Sequence, residues 1–227
     1  MNNNKSVFII LILFTVSIYP QANMNLALKK GGWTGGLAGW IGWENFKTTE
    51  KINGVDYNSK IDGYNFIISS RNGSFVETNG VFGFDFQWRQ RDRTTKPDPN
   101  PSNYSESLNE KEWFVGLWAR YYLPLEGELA LFFEGSAGYA VYSETLEIIT
   151  SESILPENYD ASADGFAYNA GVGLSLFVSP NAAFEITGRW EGGSLSGSKD
   201  FTSSGSNELN VDLGNIFILF GFQVYLR

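Results

Sequence analysis

Hydrophobic and polar residues alternate along eight segments of the chain. Each segment has roughly ten or more residues with an apolar residue at every second position, the period of a β-strand with two unlike faces. The connections between these segments are alternately long polar stretches and very short turns. This order predicts successive antiparallel hairpins. The predicted strands are 33–46, 61–76, 80–91, 112–123, 128–143, 165–178, 182–193 and 210–226, and the predicted long connections are 47–60, 92–111, 144–164 and 194–209.

A hairpin centred on Pro180 tests the alternation, because it pairs residues whose numbers sum to about 360. One face of this hairpin is then apolar and the other polar, whereas a slip of one residue would mix the two sets. We therefore predict that the first face contacts lipid and the second lines a lumen. The apolar pairs are Leu176 with Phe184, Leu174 with Ile186, Val172 with Gly188 and Ala170 with Trp190, and the polar pairs are Ser175 with Glu185, Gly173 with Thr187, Gly171 with Arg189 and Asn169 with Glu191.

Two other strands follow the same rule. The segment from Phe75 to Phe82 repeats the pattern of Phe177 to Phe184 at an offset of 102, which predicts an equivalent turn between the second and third strands. The predicted lipid faces are Phe82, Phe84, Phe86 and Trp88 in the third strand, and Ile216, Ile218, Phe220, Phe222, Val224 and Leu226 in the last. The sequence thus predicts an all-β fold, an eight-stranded antiparallel up-and-down transmembrane β-barrel.

The first 22 residues are typical of a signal peptide. Lys5 precedes the apolar run from Ser6 to Tyr19, and the small residue Ala22 stands at a suitable cleavage point. That run is too short for a membrane-spanning helix, which needs about 20 apolar residues. We expect export, cleavage near Asn23, and one outer-membrane β-barrel domain over 23–227.

Composition narrows the function classes. A net charge of −9 and a pI near 4.6 argue against nucleic-acid binding, which needs clustered Lys and Arg. The sequence contains neither Cys nor His, so Ser-His arrangements and His-ligated or Cys-ligated metal sites cannot form. We find no phosphate-binding loop and no calcium-loop spacing. The expectation from these residues is a protein that is not an enzyme and needs no cofactor.

Charged residues on the predicted lumen faces form the candidate site. A buried carboxylate needs a cationic partner to offset its desolvation, and the register supplies such partners. Arg71 falls opposite Asp85 if the second hairpin sums to 156, Arg120 falls opposite or one step from Glu134, and Arg189 lies four residues from Glu185. We interpret these groups as a salt-bridge plug, because eight strands enclose a space just wide enough for side chains. The network is Arg71, Asp85, Arg89, Arg120, Glu134, Glu185, Arg189 and Glu191.

Three segments resemble the turn-and-strand signatures of the outer-membrane β-barrel domain family. They are Gly73 to Asn79, Tyr121 to Leu125 together with Leu129 to Glu134, and Gly171 to Asn181. The resemblance covers nearly the whole mature chain and implies a Gram-negative outer membrane, with membrane lipid, lipopolysaccharide and the barrel assembly machinery as partners. The aromatic-rich last strand also resembles the ending by which such barrels are recognised, although this chain ends in Arg227. The implied function is structural, envelope-anchoring or narrow-pore.

Several alternatives remain open. The four long connections would serve a surface-binding or adhesion protein, and the acidic segment 144–164 would hold a divalent cation. Paired inward carboxylates would suit hydrolysis. A charge pair that exchanges partners would act as an ion gate. The aromatics would form a carbohydrate platform in place of girdles at the lipid boundary. A soluble lipocalin-type barrel would instead have its apolar face inside. The oligomeric state is not indicated.

Overall fold

The computed structural model describes residues 27–52, 55–97, 104–149, 158–202 and 205–226. The predicted signal peptide lies outside these residues and stays a prediction. Eight strands make up nearly all of the described chain. They are β1 (Trp33–Ile52), β2 (Val55–Glu77), β3 (Gly80–Pro97), β4 (Ser105–Pro124), β5 (Leu129–Ile149), β6 (Tyr159–Ser179), β7 (Ala182–Phe201) and β8 (Gly205–Leu226). Within the described ranges, no helix is long and apolar enough to span a membrane.

The strands form a closed barrel in chain order, each antiparallel to its neighbours, as the sequence predicts. The predicted hairpin register is confirmed, since Leu176 pairs with Phe184 and Ser175 with Glu185. The predicted repeat is also confirmed, because the register shifts between Phe75 and Glu77 and again between Phe177 and Ser179. Both tight turns therefore follow a bulge at equivalent positions.

The strands extend well past the segments that the alternation predicts. They have 18 to 23 residues, and at ~3.3 Å per residue and ~40° tilt about 20 residues rise roughly 50 Å along the barrel axis. The apolar band of such a barrel is only about 25 Å tall. The prediction that the long connections are loops is therefore largely wrong. Paired strand makes up much of 47–60, 92–111, 144–164 and 194–209. Polar residues predominate in these extensions, and the apolar residues on their inner faces are few, such as Ala163 and Leu195, so the period-two signal is weak there.

The two faces of the wall are as predicted within the apolar band. Phe84 is 62% exposed, whereas its neighbour Asp85 is buried. The same contrast separates Phe184 from Glu185 and Phe222 from Gln223. The apolar side chains therefore face outward, which excludes a lipocalin-type arrangement.

The two ends of the barrel differ. The turn end carries the tight turns at 78–79 and 180–181 and the beginning of β1, and the far end carries the strand extensions. At the turn end the lumen is filled by apolar side chains, among them Phe75, Tyr122 and Tyr225. Residues 27–32 cross this end: Leu28 is fully buried in the same cluster, and its carbonyl accepts a hydrogen bond of 2.9 Å from the backbone N–H of Asn79.

One seam of the barrel is much shorter than the others. β1 and β8 pair through seven residues each, from Trp33 with Leu226 to Gly39 with Phe220. The other seams run nearly the full length of their strands. Beyond Gly39 and Phe220, no ladder pair joins the described parts of β1 and β8, so the two strands separate toward the far end.

Candidate functional site: a charged lumen

The middle of the lumen holds a chain of ion pairs among four residues from four strands. Arg71 of β2 reaches Glu134 of β5 at 2.5 Å, and Arg120 of β4 reaches the same carboxylate at 2.7 Å. Arg120 also contacts Glu185 of β7 at 2.6 Å. Trp118 donates its indole N–H to Glu134 at 3.2 Å. All four charged side chains are almost fully buried, so each charge depends on these partners.

A second pair crosses the full width of the barrel. Arg189 of β7 pairs with Asp85 of β3, and these strands stand four positions apart in a ring of eight. The Ser69 and Ser136 hydroxyls donate to the two oxygens of Asp85 at 3.0 and 2.9 Å. Arg189 Nη1 donates to Ser69 at 3.2 Å. The Asp85 carboxylate is therefore held by one cation and two hydroxyls.

A third layer lies nearer the far end. Arg89 pairs with Glu112 of β4 and, at 3.3 Å, with Glu191 of β7. The amides of Gln87 and Asn215 donate to Glu191 at 3.1 and 3.0 Å. This layer again joins β3 to β7 across the lumen.

The structure brings all eight predicted lumen residues inside the barrel but changes their partners. Arg120 and Glu134 are directly opposite in the register and form an ion pair. Arg71 and Asp85 are also opposite, yet Arg71 bonds to Glu134 and Asp85 to Arg189. Glu185 bonds to Arg120 in place of Arg189. An arginine side chain is long enough to cross a narrow lumen, so partners across the barrel replace neighbours along the wall.

Sequence reasoning missed several members of the network. Glu112 is buried against Arg89, and Ser69 and Ser136 hold Asp85. The alternation does place Glu112 on the lumen face of β4, two residues before Phe114 and on the same side as Arg120. That signal was sufficient to find it.

An apolar layer at the turn end adjoins the ion pairs. The Arg120 guanidinium lies 3.9 Å from the ring centroid of Phe132, and its Nη1 donates to the Tyr122 hydroxyl at 2.8 Å. The Tyr122 and Tyr225 hydroxyls are 3.2 Å apart, and the ring of Phe177 packs on that of Tyr225 with centroids 5.1 Å apart. Polar and apolar groups therefore fill the lumen in successive layers.

A cavity of about 180 Å³ opens in the lumen beyond the third layer. Arg89, Asn65 and Asn215 line it, together with the stretch of β8 from Val211 to Phe217. The side-chain oxygen Oδ1 of Asn65 is buried and accepts no hydrogen bond from the described residues. This cavity adjoins the part of β8 that is not paired with β1.

Outside the membrane band, acidic residues of the far end bond to tyrosines. Glu144 accepts hydrogen bonds from the hydroxyls of Tyr142 and Tyr159. Burial and this carboxylate raise the pKa of Tyr159. Glu152 and Glu157 of the predicted acidic segment lie outside the described residues, so its cation-binding role stays a prediction.

Comparisons with known proteins agree with this architecture. No protein-family model and no curated protein matches the sequence. Among solved structures, OprG from Pseudomonas aeruginosa aligns at 12% identity over 89% of this chain and 99% of its own, with a TM-score of 0.48. The protease OmpT from Escherichia coli aligns at 11% over 86% and 94%, with a TM-score of 0.49. Ail from Yersinia pestis, solved with a heparin analogue, aligns at 15% over 87% and 99%, with a TM-score of 0.41.

The class of the protein follows from its own architecture. A ring of eight antiparallel strands with an apolar outer band and a polar lumen is an outer-membrane β-barrel. The resemblance in the sequence is thus confirmed at the level of the fold. At these identities and TM-scores, the similarity to solved structures transfers no activity.

The expectation that the chain is not an enzyme is corrected. OmpT is an outer membrane protease, so barrels of this class include enzymes. The absence of His excludes only those mechanisms that need an imidazole. Neither the fold nor the composition decides against catalysis.

Proposed function

We propose that this chain is an integral barrel of the outer membrane with a structural or envelope-anchoring role and a closed axial path. Membrane lipid, lipopolysaccharide and the barrel assembly machinery are its proposed partners. The pair between Arg189 and Asp85, which spans opposite walls of the lumen, is the observation that carries the closure.

Two layers of different chemistry support the closure. The ion pairs of Arg71, Arg120 and Arg189 bridge strands that are three or four positions apart, so side chains cross the lumen along several directions. Below them, Phe75, Tyr122, Phe177 and Tyr225 fill the turn end. Water and ions would have to pass both layers, and the second offers few polar contacts.

Single-channel recording in planar bilayers tests this proposal. The wild-type protein should give at most small, infrequent events, because side chains fill the lumen. The double variant Asp85→Ala/Arg189→Ala removes the spanning pair but keeps the apolar layer, and it should stay closed. Adding Phe177→Ala and Tyr225→Ala thins the apolar layer as well and should produce measurable events.

The lipid-facing variant Phe184→Ala serves as the control for insertion and handling. A steady large conductance in the wild-type protein would contradict the closed path. Closure of the fourfold variant, shown to be folded by heat-modifiable migration, would mean that other groups block the lumen.

A further inference from the structure

The separation of β1 from β8 occurs inside the apolar band. On β1, Ile41 and Trp43 are exposed and lie beyond the last pair at Gly39. On β8, Ile218 is 55% and Ile216 81% exposed, and both lie beyond the last pair at Phe220. These side chains face outward like the rest of the band, so the two open backbone edges are at membrane depth.

Open strand edges are unfavourable in hydrocarbon. Each unpaired backbone N–H or C=O there costs several kcal/mol, and irregular backbone is tolerated only where protein or a polar cavity covers it. The edges of β1 and β8 therefore need hydrogen-bonding groups, which either water of the lumen cavity or a polar head can supply. Lipid tails alone have none.

An apolar groove lies on the outer face where the paired seam ends and the separation begins. Leu37, Trp40 and Ile41 line one side of it, and Phe184, Phe220 and Phe222 line the other. Gly39 and Gly221 lie at its base, where a side chain would collide with neighbouring atoms: a Cβ at Gly39 would stand 2.7 Å from the carbonyl oxygen of Ile67. The two glycines thus allow neighbouring strands to approach closely and leave the base of the groove without side chains.

The inner side of the separation is the polar cavity of the lumen. A thin apolar cluster of Ala38, Ile67 and Leu219, with Phe217 packed against it, lies between groove and cavity. Phe217 lines the cavity and Ile67 lines the groove. The cavity contains the unpartnered Oδ1 of Asn65, which needs a hydrogen-bond donor.

Charge in the cavity favours a neutral occupant. Arg89 is paired with Glu112 and Glu191, and Arg91 lies 3.4 Å from Glu110. The charged residues that line the cavity balance, so a charged head would add an uncompensated charge. They are Arg89, Arg91, Lys111, Glu110, Glu112 and Asp212. A hydroxyl group can donate to Asn65 and both donate to and accept from the open strand edges.

We propose that the separation between β1 and β8 is a lateral binding site for an uncharged amphipath with one acyl chain and a hydroxyl-bearing head. The chain lies in the groove, and the head enters the wall toward Asn65. This site rests on the proposed insertion of the barrel into a bilayer but not on a closed axial path. A negative binding experiment would therefore leave the closed path intact, and a conducting wild-type protein would leave the binding site intact.

Quenching of tryptophan fluorescence tests the site in liposomes of saturated phosphatidylcholine. The probe is a monoacylglycerol with a dibrominated twelve-carbon chain. We expect saturable quenching that unbrominated monolauroylglycerol reverses, whereas a brominated alkane without a head gives no saturable component. Trp40→Phe, which changes a residue of the groove, should reduce the saturable signal, and Trp113→Phe, on the outer face of β4 and far from the groove, should leave it.

A head-group variant tests the contact to the lumen. Asn65→Leu removes the acceptor and should weaken binding roughly three- to tenfold, the effect of one lost hydrogen bond. Asn72→Leu, on the outer face of the same strand, is the matched control and should bind as wild type. Equal affinity of all three proteins would overturn the placement of the head.

Cysteine pairs test the separation itself, since the sequence has no native Cys. In the register of the existing pairs, Ile41 would face Ile218 if the ladder continued, so a disulfide in Ile41→Cys/Ile218→Cys closes the separation. It should abolish saturable quenching until it is reduced. The disulfide in Trp33→Cys/Leu226→Cys joins residues of the same seam that are already paired and lie outside the groove, so it should leave binding intact.

Three results would overturn the proposal. One is equal binding by both cross-linked proteins. Another is quenching that does not saturate, which would indicate bulk lipid alone. The third is an intermolecular disulfide of the single variant Ile41→Cys at high yield, which would show that a second copy covers the edge. If the disulfide between positions 41 and 218 does not form, the quenching measurements on Asn65→Leu and Trp40→Phe test the proposal. Unchanged saturable quenching in both variants would then overturn it.

Discussion

At the scale of single residues, the stability of the lumen depends on which charges share partners. Arg120 bonds to both Glu134 and Glu185, and Glu134 also bonds to Arg71. Removing Arg120 and Glu134 together therefore leaves Arg71 and Glu185 without their ionic partners. In contrast, Asp85 and Arg189 form an ion pair only with each other among the described residues. Both can therefore be replaced without removing the ionic partner of a third residue.

The pair between Asp85 and Arg189 should show strong coupling in a double-mutant cycle. Arg189→Met leaves a buried carboxylate without a cation and should cost about 3 to 5 kcal/mol of unfolding free energy. Adding Asp85→Asn should recover most of that loss. Arg120→Ala/Glu134→Ala provides the comparison and should show little rescue. Additive losses at Asp85 and Arg189, measured by urea titration in liposomes, would mean that the two do not interact.

Neighbouring residues of β7 should respond oppositely to substitution. Ile186 and Phe184 are 43% and 50% exposed to lipid, and Glu185 between them is 5% exposed. Ile186→Arg and Phe184→Arg put a cation into hydrocarbon, which costs roughly 2 to 4 kcal/mol near the midplane and less near an interface. Glu185→Gln should be milder, because Arg120 keeps Glu134. Folding yield into liposomes should be lowest for Ile186→Arg and nearest to wild type for Glu185→Gln. The reverse order would mean that the lipid and lumen faces of β7 are assigned the wrong way round.

At the scale of elements, each strand has a membrane part and an extension held by different forces. The membrane part combines lipid contact outside with ion pairs inside. The extension of the β7 and β8 hairpin, from about Ser196 to Asn210, is polar on most positions and relies on its ladder of backbone hydrogen bonds. It should therefore be dispensable for insertion.

Replacing residues 199–207 with Asn-Gly shortens this hairpin without changing its register, because Ser198 pairs with Glu208 and Asn-Gly favours a two-residue turn. We expect insertion and heat-modifiable migration like those of wild type. Deleting Thr187 alone is the control, since one missing residue reverses the faces of part of β7 and should prevent insertion. Loss of insertion in the shortened hairpin would show that the extension guides assembly.

At the scale of the whole molecule, the height of the apolar band sets which bilayers accept the barrel. The lipid face of β4 is apolar from Trp113 to Leu123 and polar at Lys111. Such a span of about ten residues corresponds to roughly 25 Å. The exposed aromatics Trp113 and Tyr121 stand near its two ends.

Bilayer thickness should therefore control folding. We expect higher folding yield in dilauroyl- than in dioleoyl-phosphatidylcholine, because mismatch costs fractions of a kcal/mol per Å. Lys111→Leu, which raises the apolar edge on β4, should narrow the difference, whereas Lys199→Leu in the far extension should not. Equal yields of the wild-type protein in both lipids would mean that the band is taller than the aromatic positions indicate.

Local chemistry in the sequence determined the barrel wall. Period-two alternation is a property of neighbouring residues, so it predicted eight strands, the faces of β3, β7 and β8, and the register at Pro180. It also placed Arg71, Asp85 and Arg189 inside. Alternation is weak in the strand extensions, where polar residues predominate, so the pattern predicts loops there and the prediction is wrong.

Tertiary structure alone decided which charges meet and where the wall is incomplete. Arg71 pairs across the lumen with Glu134 although Asp85 is its neighbour on the wall, because side-chain reach and barrel curvature, not sequence spacing, fix contacts between distant strands. The short seam of β1 and β8 likewise joins segments some 180 residues apart. Its length depends on how eight strands close into a ring, which no local pattern encodes.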